Sequence, residues 1–280
     1  MYQFPIGVII DSFRVPAREA VLKAAALDGV KGIQVYSTRG EMAPENLSPA
    51  ARREFLDLVK SNGLIISALC GDLGGGFGNP DDNPAKIEKS KRIIDLAKEL
   101  QTDVVTTHIG VVPADAADDR YKIMQQACAE LAEYADSINA HFAVETGPET
   151  SVILKGFLDS LGSRGVAVNL DPANLVMVAG DDPAQAVYNL KDYIVHTHAK
   201  DGVMLHSAQA EDVYNTKEAI VTGPSYEELP LGEGGVPWER YLKALEDIGF
   251  KGFLTIEREV GDNPAGDIAK AVAFLKKQMA

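Results

Sequence analysis

Four apolar runs of this 280-residue chain end in a side chain able to hold a metal ion. AVETG ends its run on Glu145, VNLDPAN on Asp171, VHTHAKD on His196 and His198, and FLTIERE on Glu257. Carboxylates with an imidazole suit a divalent cation such as Mn2+, Mg2+, Co2+ or Zn2+. A charged group at the end of a buried strand is costly unless it is paired or bound to metal. Any single one has a plainer reading: Asp171 precedes Pro172 and can cap a turn. It is the convergence of all four that points to a metal.

His196 and His198 are two residues apart, so on an extended strand both point the same way. One can ligate while the other is a hydrogen-bonded core histidine. His198 stands nearer the strand end and is the expected ligand. His108, in VVTTHIG, sits at an equivalent height; it can be a hydrogen-bonded core group, but the expectation is contact with a substrate hydroxyl.

To bring these residues together, the strands that carry them must end at one face. Eight short apolar runs qualify as strands: 6–10, 32–37, 64–70, 103–109, 141–146, 166–171, 193–199 and 252–257. Several are near-continuous Val/Ile stretches, as parallel strands covered on both faces should be. Helical patterns alternate with them at 16–29, 48–63, 83–100, 119–139, 150–163, 182–192, 236–249 and 266–279. Pro16, Pro49, Pro84 and Pro183 stand near helix starts, and Gly29, Gly63 and Gly249 past helix ends. Eight βα units in series predict an α/β chain folded as one (β/α)8 TIM barrel domain over residues 1–280, with its site at the C-terminal face of the strands. An open doubly wound sheet would need a domain split, and no linker marks one. In the barrel the runs carrying Glu145, Asp171, His198 and Glu257 are strands five to eight, neighbours on one side of the mouth.

The connection 201–235 is long and follows the seventh strand, so it is expected to be functional or disordered. GDLGGGFG (71–78) lacks the Lys-Ser/Thr ending of a phosphate loop and the helix start of a dinucleotide fingerprint; it is expected to be a flexible loop over the mouth. The sequence contains no GxSxG nucleophile elbow and no HExxH. Trp238 is expected in the core or at an interface.

The formal charge of −14 repels phosphate backbones and anionic lipid, which disfavours nucleic acid and membrane partners. Hydrophobic residues at 46% and charged residues at 24% are an ordinary globular balance. Cys70 and Cys128 form no CxxC pair and read as reduced thiols. The start, MYQFPIGVIID, has no basic segment followed by a long apolar one. No run reaches the roughly 18 apolar residues of a membrane span. A cytoplasmic protein is the expectation.

Taken together, THIG (107–110), AVETG (143–147), NLDPAN (169–174), HTHAKD (196–201), LGEGGVPW (231–238) and GFLTIERE (252–259) resemble the sugar phosphate isomerase/epimerase family, which shares the xylose isomerase-like barrel. The resemblance spans essentially the whole chain. It implies one divalent metal ion, Mn2+ by preference, held by Glu145, Asp171, His198 and Glu257. It also implies that Glu145 and Glu257 move protons as an acid/base pair, isomerising or epimerising a keto-sugar through an enediolate. Expected substrate contacts are His108, Asn174 and Lys200. Two of these depart from the family pattern: Asn174 stands where a His is frequent, and Lys200 is the nearest basic group where ketose 3-epimerases carry an Arg. The implied partner is a small carbohydrate, and a homo-oligomer is expected because dimers and tetramers are common in the family.

Two other activities use this barrel. A lyase or deglycosidase of 3-keto-sugar derivatives employs the same enolate chemistry and metal site. An endonuclease IV-like phosphodiesterase employs a trinuclear zinc site rich in histidine. Five histidines in all, with His141 at the wrong end of its strand, and the charge of −14 count against the nuclease.

Overall fold

Runs such as VVTT and VAVNL bury every residue, and a strand buried on both faces must lie between two packed layers. The computed structural model describes residues 2–210, 213 and 224–280. In it the eight expected strands are β1 (Ile6–Ile9), β2 (Val30–Tyr36), β3 (Ile65–Cys70), β4 (Val104–Thr107), β5 (His141–Glu145), β6 (Val166–Leu170), β7 (Ile194–Ala199) and β10 (Leu254–Ile256). They pair in parallel and close into a barrel, with β10 hydrogen-bonded to β7 on one side and β1 on the other. This is the TIM barrel that the βα alternation predicts.

Helices surround it: α1 (Ala17–Ala25), α2 (Pro49–Ser61), α3 (Asn83–Glu99), α4 (Asp119–Ser137), α5 (Ser151–Leu161), the single turn α6 (Pro172–Asn174), α7 (Pro183–Asn189), α8 (Trp238–Asp247) and α9 (Pro264–Met279). Their ends follow local chemistry. Ser48 Oγ accepts from Ala51 N ahead of Pro49, and Asp182 Oδ1 accepts from Ala184 N ahead of Pro183. Gly63 and Gly249 take positive φ just past helix ends, and Gly29 does so in the turn that enters β2.

The barrel interior departs from the usual filling of aliphatic side chains. Gln34, Thr106, Asn169, His196 and Thr255 are buried there. Gln34 on β2 reaches Thr106 on β4 and His196 on β7, so its amide crosses the lumen. Buried polar groups are tolerated when hydrogen-bonded. His196 Nε2 lies 3.0 Å from Gln34 Oε1 and 2.9 Å from Thr255 Oγ1, which makes it the satisfied core histidine. Trp238 is buried in the core, packed edge-on against Tyr241 and Phe274.

Two loops carry structure that the sequence does not announce. The long connection opens and closes as an antiparallel ribbon, β8 (Asp201–Met204) with β9 (Tyr226–Leu229); residues 211–212 and 214–223 within it lie outside the described part. One carboxylate anchors its ends. Asp201 accepts from Gly202 N and Val236 N on one oxygen, and from Gly232 N and Trp238 Nε1 on the other. That carboxylate pins the LGEGGVPW segment to the end of β7. The glycine-rich segment is tied down rather than free. Lys86 Nζ donates to Gly74 O and Gly76 O, and Phe77 N donates to Ile109 O. Gly76, at φ +58°, lies so close to Ile109 that a Cβ would stand 2.3 Å from that carbonyl.

Candidate metal centre

Each expected ligand sits where its strand delivers it to the mouth. Glu145 is the last residue of β5, Asp171 follows β6, His198 lies near the end of β7, and Glu257 follows β10. One ligand atom from each of these four residues comes within 4.8 Å of the others. His198 Nδ1 is at the centre, 3.5 Å from Glu145 Oε1, 3.5 Å from Asp171 Oδ2 and 3.2 Å from Glu257 Oε2. All four residues are buried, and Asp171 is fully so.

The donor set fits a divalent cation. Asp171 Oδ1 accepts from Ala173 N and Asn174 N, the capping role open to it in the sequence. Its other oxygen, Oδ2, is buried without a hydrogen-bond partner and faces the cluster. A buried carboxylate oxygen left in that state costs free energy that a cation would recover. Three carboxylates and one imidazole at strand ends match the oxygen and nitrogen preferences of a divalent cation.

The charges around the cluster are uneven. Burial opposes ionisation of Glu257, but Lys200 and His198 hold its pKa far below the usual carboxylate range. Glu145 is likewise opposed by burial and is lowered by His198 and His108. Burial raises the pKa of Asp171, with His198 and Lys200 offsetting only part of the effect. Burial works against a charged His198, yet Glu145 and Glu257 push its pKa well above 6.5. His196 is pushed down to about 3 by burial and by His198, so it stays neutral.

The expected substrate contacts reach the same place. A cavity of about 200 Å³ above the cluster is lined by Tyr36, His108, Asn174, Lys200 and the two glutamates, among others. His108 Nε2 is 3.7 Å from Glu145 Oε1, and Asn174 Nδ2 donates to Glu145 Oε1 at 2.9 Å. Lys200 Nζ donates to Glu257 Oε2 at 3.1 Å and to Glu259 Oε2 at 2.5 Å. Sequence reasoning missed Gln34, Asn169, Tyr36 and Glu259. Gln34 in GIQVYS and Asn169 in VAVNLD each break an apolar strand with one amide, and that lone polar residue was the available signal.

A closed parallel barrel with a carboxylate–histidine centre at its mouth defines a class, and comparison with known proteins gives the family. Residues 22–278 match the model of the xylose isomerase-like TIM barrel. The chain belongs to that family. It is 24% identical over 294 residues to the L-ribulose-5-phosphate 3-epimerase UlaE of Escherichia coli, covering 99% of this chain and 96% of that one. With MJ1311 of Methanocaldococcus jannaschii it shares 22% identity over 213 residues; the match covers 70% of this chain and spans 64% of that protein. Among solved structures, a xylose isomerase domain protein from Planctomyces limnophilus superimposes with a TM-score of 0.80 at 24% identity, covering 99% of this chain and 96% of the other.

Proposed function

We propose that this chain is a divalent-metal-dependent isomerase or epimerase of a keto-sugar, with Mn2+ as the preferred ion. The observation that carries the reading is the buried Glu145–Asp171–His198–Glu257 cluster, with its orphaned Asp171 Oδ2, beneath a cavity at the barrel mouth. A bound divalent ion supplies Lewis-acid stabilisation of the negative charge that builds on a substrate carbonyl oxygen during enolisation.

The chain's own residues do the rest. Glu145 and Glu257 face the cavity from different strands, β5 and the end of β10, and are the acid/base pair. Both glutamates are held ionised, so one takes the proton from the carbon next to the carbonyl, giving the enediolate, and the other picks up a proton from solvent and delivers it from its own side. His108, Asn174 and Lys200 line the cavity and hold the sugar hydroxyls. Burial of the cluster keeps bulk water from quenching the proton transfers.

The assay begins with L-ribulose 5-phosphate, the substrate in the name of the E. coli relative, and continues with free and phosphorylated ketopentoses and ketohexoses. Glu145→Gln and Glu257→Gln are each expected to lower solvent deuterium incorporation into substrate by about 10²–10⁴-fold. Near wild-type exchange in both variants would remove the assignment. An eliminated fragment in place of an isomer would replace it with the lyase reading.

A further inference from the structure

We propose that Gln34 is a positioning residue for the metal centre, fixing His198 so that Nδ1, and only Nδ1, is free to ligate. This rests on the metal reading above and goes beyond it, because Gln34 supplies no ligand atom itself.

Leu69 O can only accept, so the Thr106 hydroxyl 3.4 Å away donates to it. The lone pairs of Thr106 Oγ1 then accept from Gln34 Nε2 at 2.9 Å. With its NH2 committed, the Gln34 amide has one orientation, and its Oε1 faces the two histidines. Oε1 lies 3.0 Å from His196 Nε2 and 3.1 Å from His198 Nε2. A carbonyl oxygen has two lone pairs and no proton, so both Nε2 atoms must donate. His198 Nε2 therefore keeps its hydrogen, and Nδ1, which faces Glu145, Asp171 and Glu257, is the nitrogen that gives up its proton and offers a lone pair when an ion binds.

Asn169 does not do this job. Its Nδ2 is 3.1 Å from His198 Nε2 and 3.4 Å from Nδ1. Near-equal distances to both ring nitrogens put the amide over the ring face, where it meets neither in-plane lone pair. Gln34 lies 164 residues from His198 in the sequence, yet it is the acceptor on the ring's far side. Such an acceptor orients a metal-bound imidazole and raises its basicity, and removing one lowers metal affinity by about 10–100-fold.

The test uses the full chain, stripped of metal and titrated with Mn2+ in a chelator competition. Gln34→Met, which keeps length but has no acceptor oxygen, is expected to raise the Mn2+ dissociation constant by about 10–100-fold. Gln34→Glu, which keeps the acceptor, is expected to bind at least as tightly as wild type. In parallel, the wild-type chain labelled with 15N-histidine and loaded with Zn2+ should show His198 protonated at Nε2 and ligated at Nδ1, a readout that needs no variant to fold. Ligation at Nε2, unchanged affinity in Gln34→Met, or equal losses in both variants would overturn the proposal alone. If the wild-type chain takes up no ion, the metal reading falls and the proposal falls with it.

Discussion

The Lys200 ammonium stands 3.1 Å from Glu257 Oε2, with the two side chains only 5% and 6% exposed. The other glutamate of the pair has no lysine against it among the described residues: Glu145 accepts from the neutral Asn174 amide and lies 3.5 Å from His198 Nδ1. Two carboxylates with the same proposed duty thus sit in different electrostatic surroundings. Lys200 is also the basic residue expected to touch substrate, and it lines the cavity from within this ion pair.

Breaking that pair strips a buried carboxylate of its lysine and leaves His198 as the cation beside it. Lys200→Met is expected to destabilise the chelator-treated chain by about 3–5 kcal/mol, measured by urea denaturation. A loss below about 1 kcal/mol would show that the pair contributes no more than an exposed one.

Metal uptake should release a proton. Burial opposes the charge on His198, but Glu145 and Glu257 hold its pKa well above 6.5, so the metal-free ring is cationic at neutral pH. An ion takes the same lone pair, and below the raised pKa its affinity should fall about tenfold per pH unit. Calorimetry in buffers of different protonation enthalpy counts the protons; a count of zero at pH 7 contradicts the assignment. Stability of the metal-free chain follows the opposite sign. There the raised His198 pKa contributes stability that is full below about 6.5 and is lost as pH rises through the raised value.

Asp201 is predicted to matter through the loop it holds. Asp201→Ala removes the acceptor for three backbone N–H groups and the Trp238 indole. Hydrogen bonds to a charged group contribute about 1.5–3 kcal/mol each, and the groups do not all find water, so a loss of about 3 kcal/mol or more is expected. Thermal or urea unfolding reads it directly; an unshifted midpoint would mean that the LGEGGVPW segment is held by other contacts.

Two glycines should respond in opposite directions. Gly156 lies within α5, and an added Cβ there would meet nothing within 4 Å, so Gly156→Ala should stabilise by about 0.5–1 kcal/mol. At Gly165 a Cβ would stand 2.0 Å from Ala132 O on α4, so Gly165→Ala should destabilise by about 1–3 kcal/mol. Paired urea melts decide both, and shifts of the same sign would contradict the packing described.

The sequence by itself determined the barrel and the four residues that meet at its mouth. Both were legible because the signals are local: apolar runs alternating with helical periods, capping residues at the boundaries, and a ligand-competent group at the end of a buried run. Barrel closure then placed strands β5, β6, β7 and β10 side by side. Only the tertiary structure decided what each of those groups faces. That Gln34 meets His196 and His198, that Lys200 turns to Glu257 and Glu259, and that Asp201 gathers donors up to 37 residues away are contacts across the lumen or between loops. The ribbon β8–β9 escaped notice for the same reason, since its two short strands find each other only after the chain between them has been spanned. Hydrogen-bond partners depend on register and closure, and no local pattern of residue types encodes either.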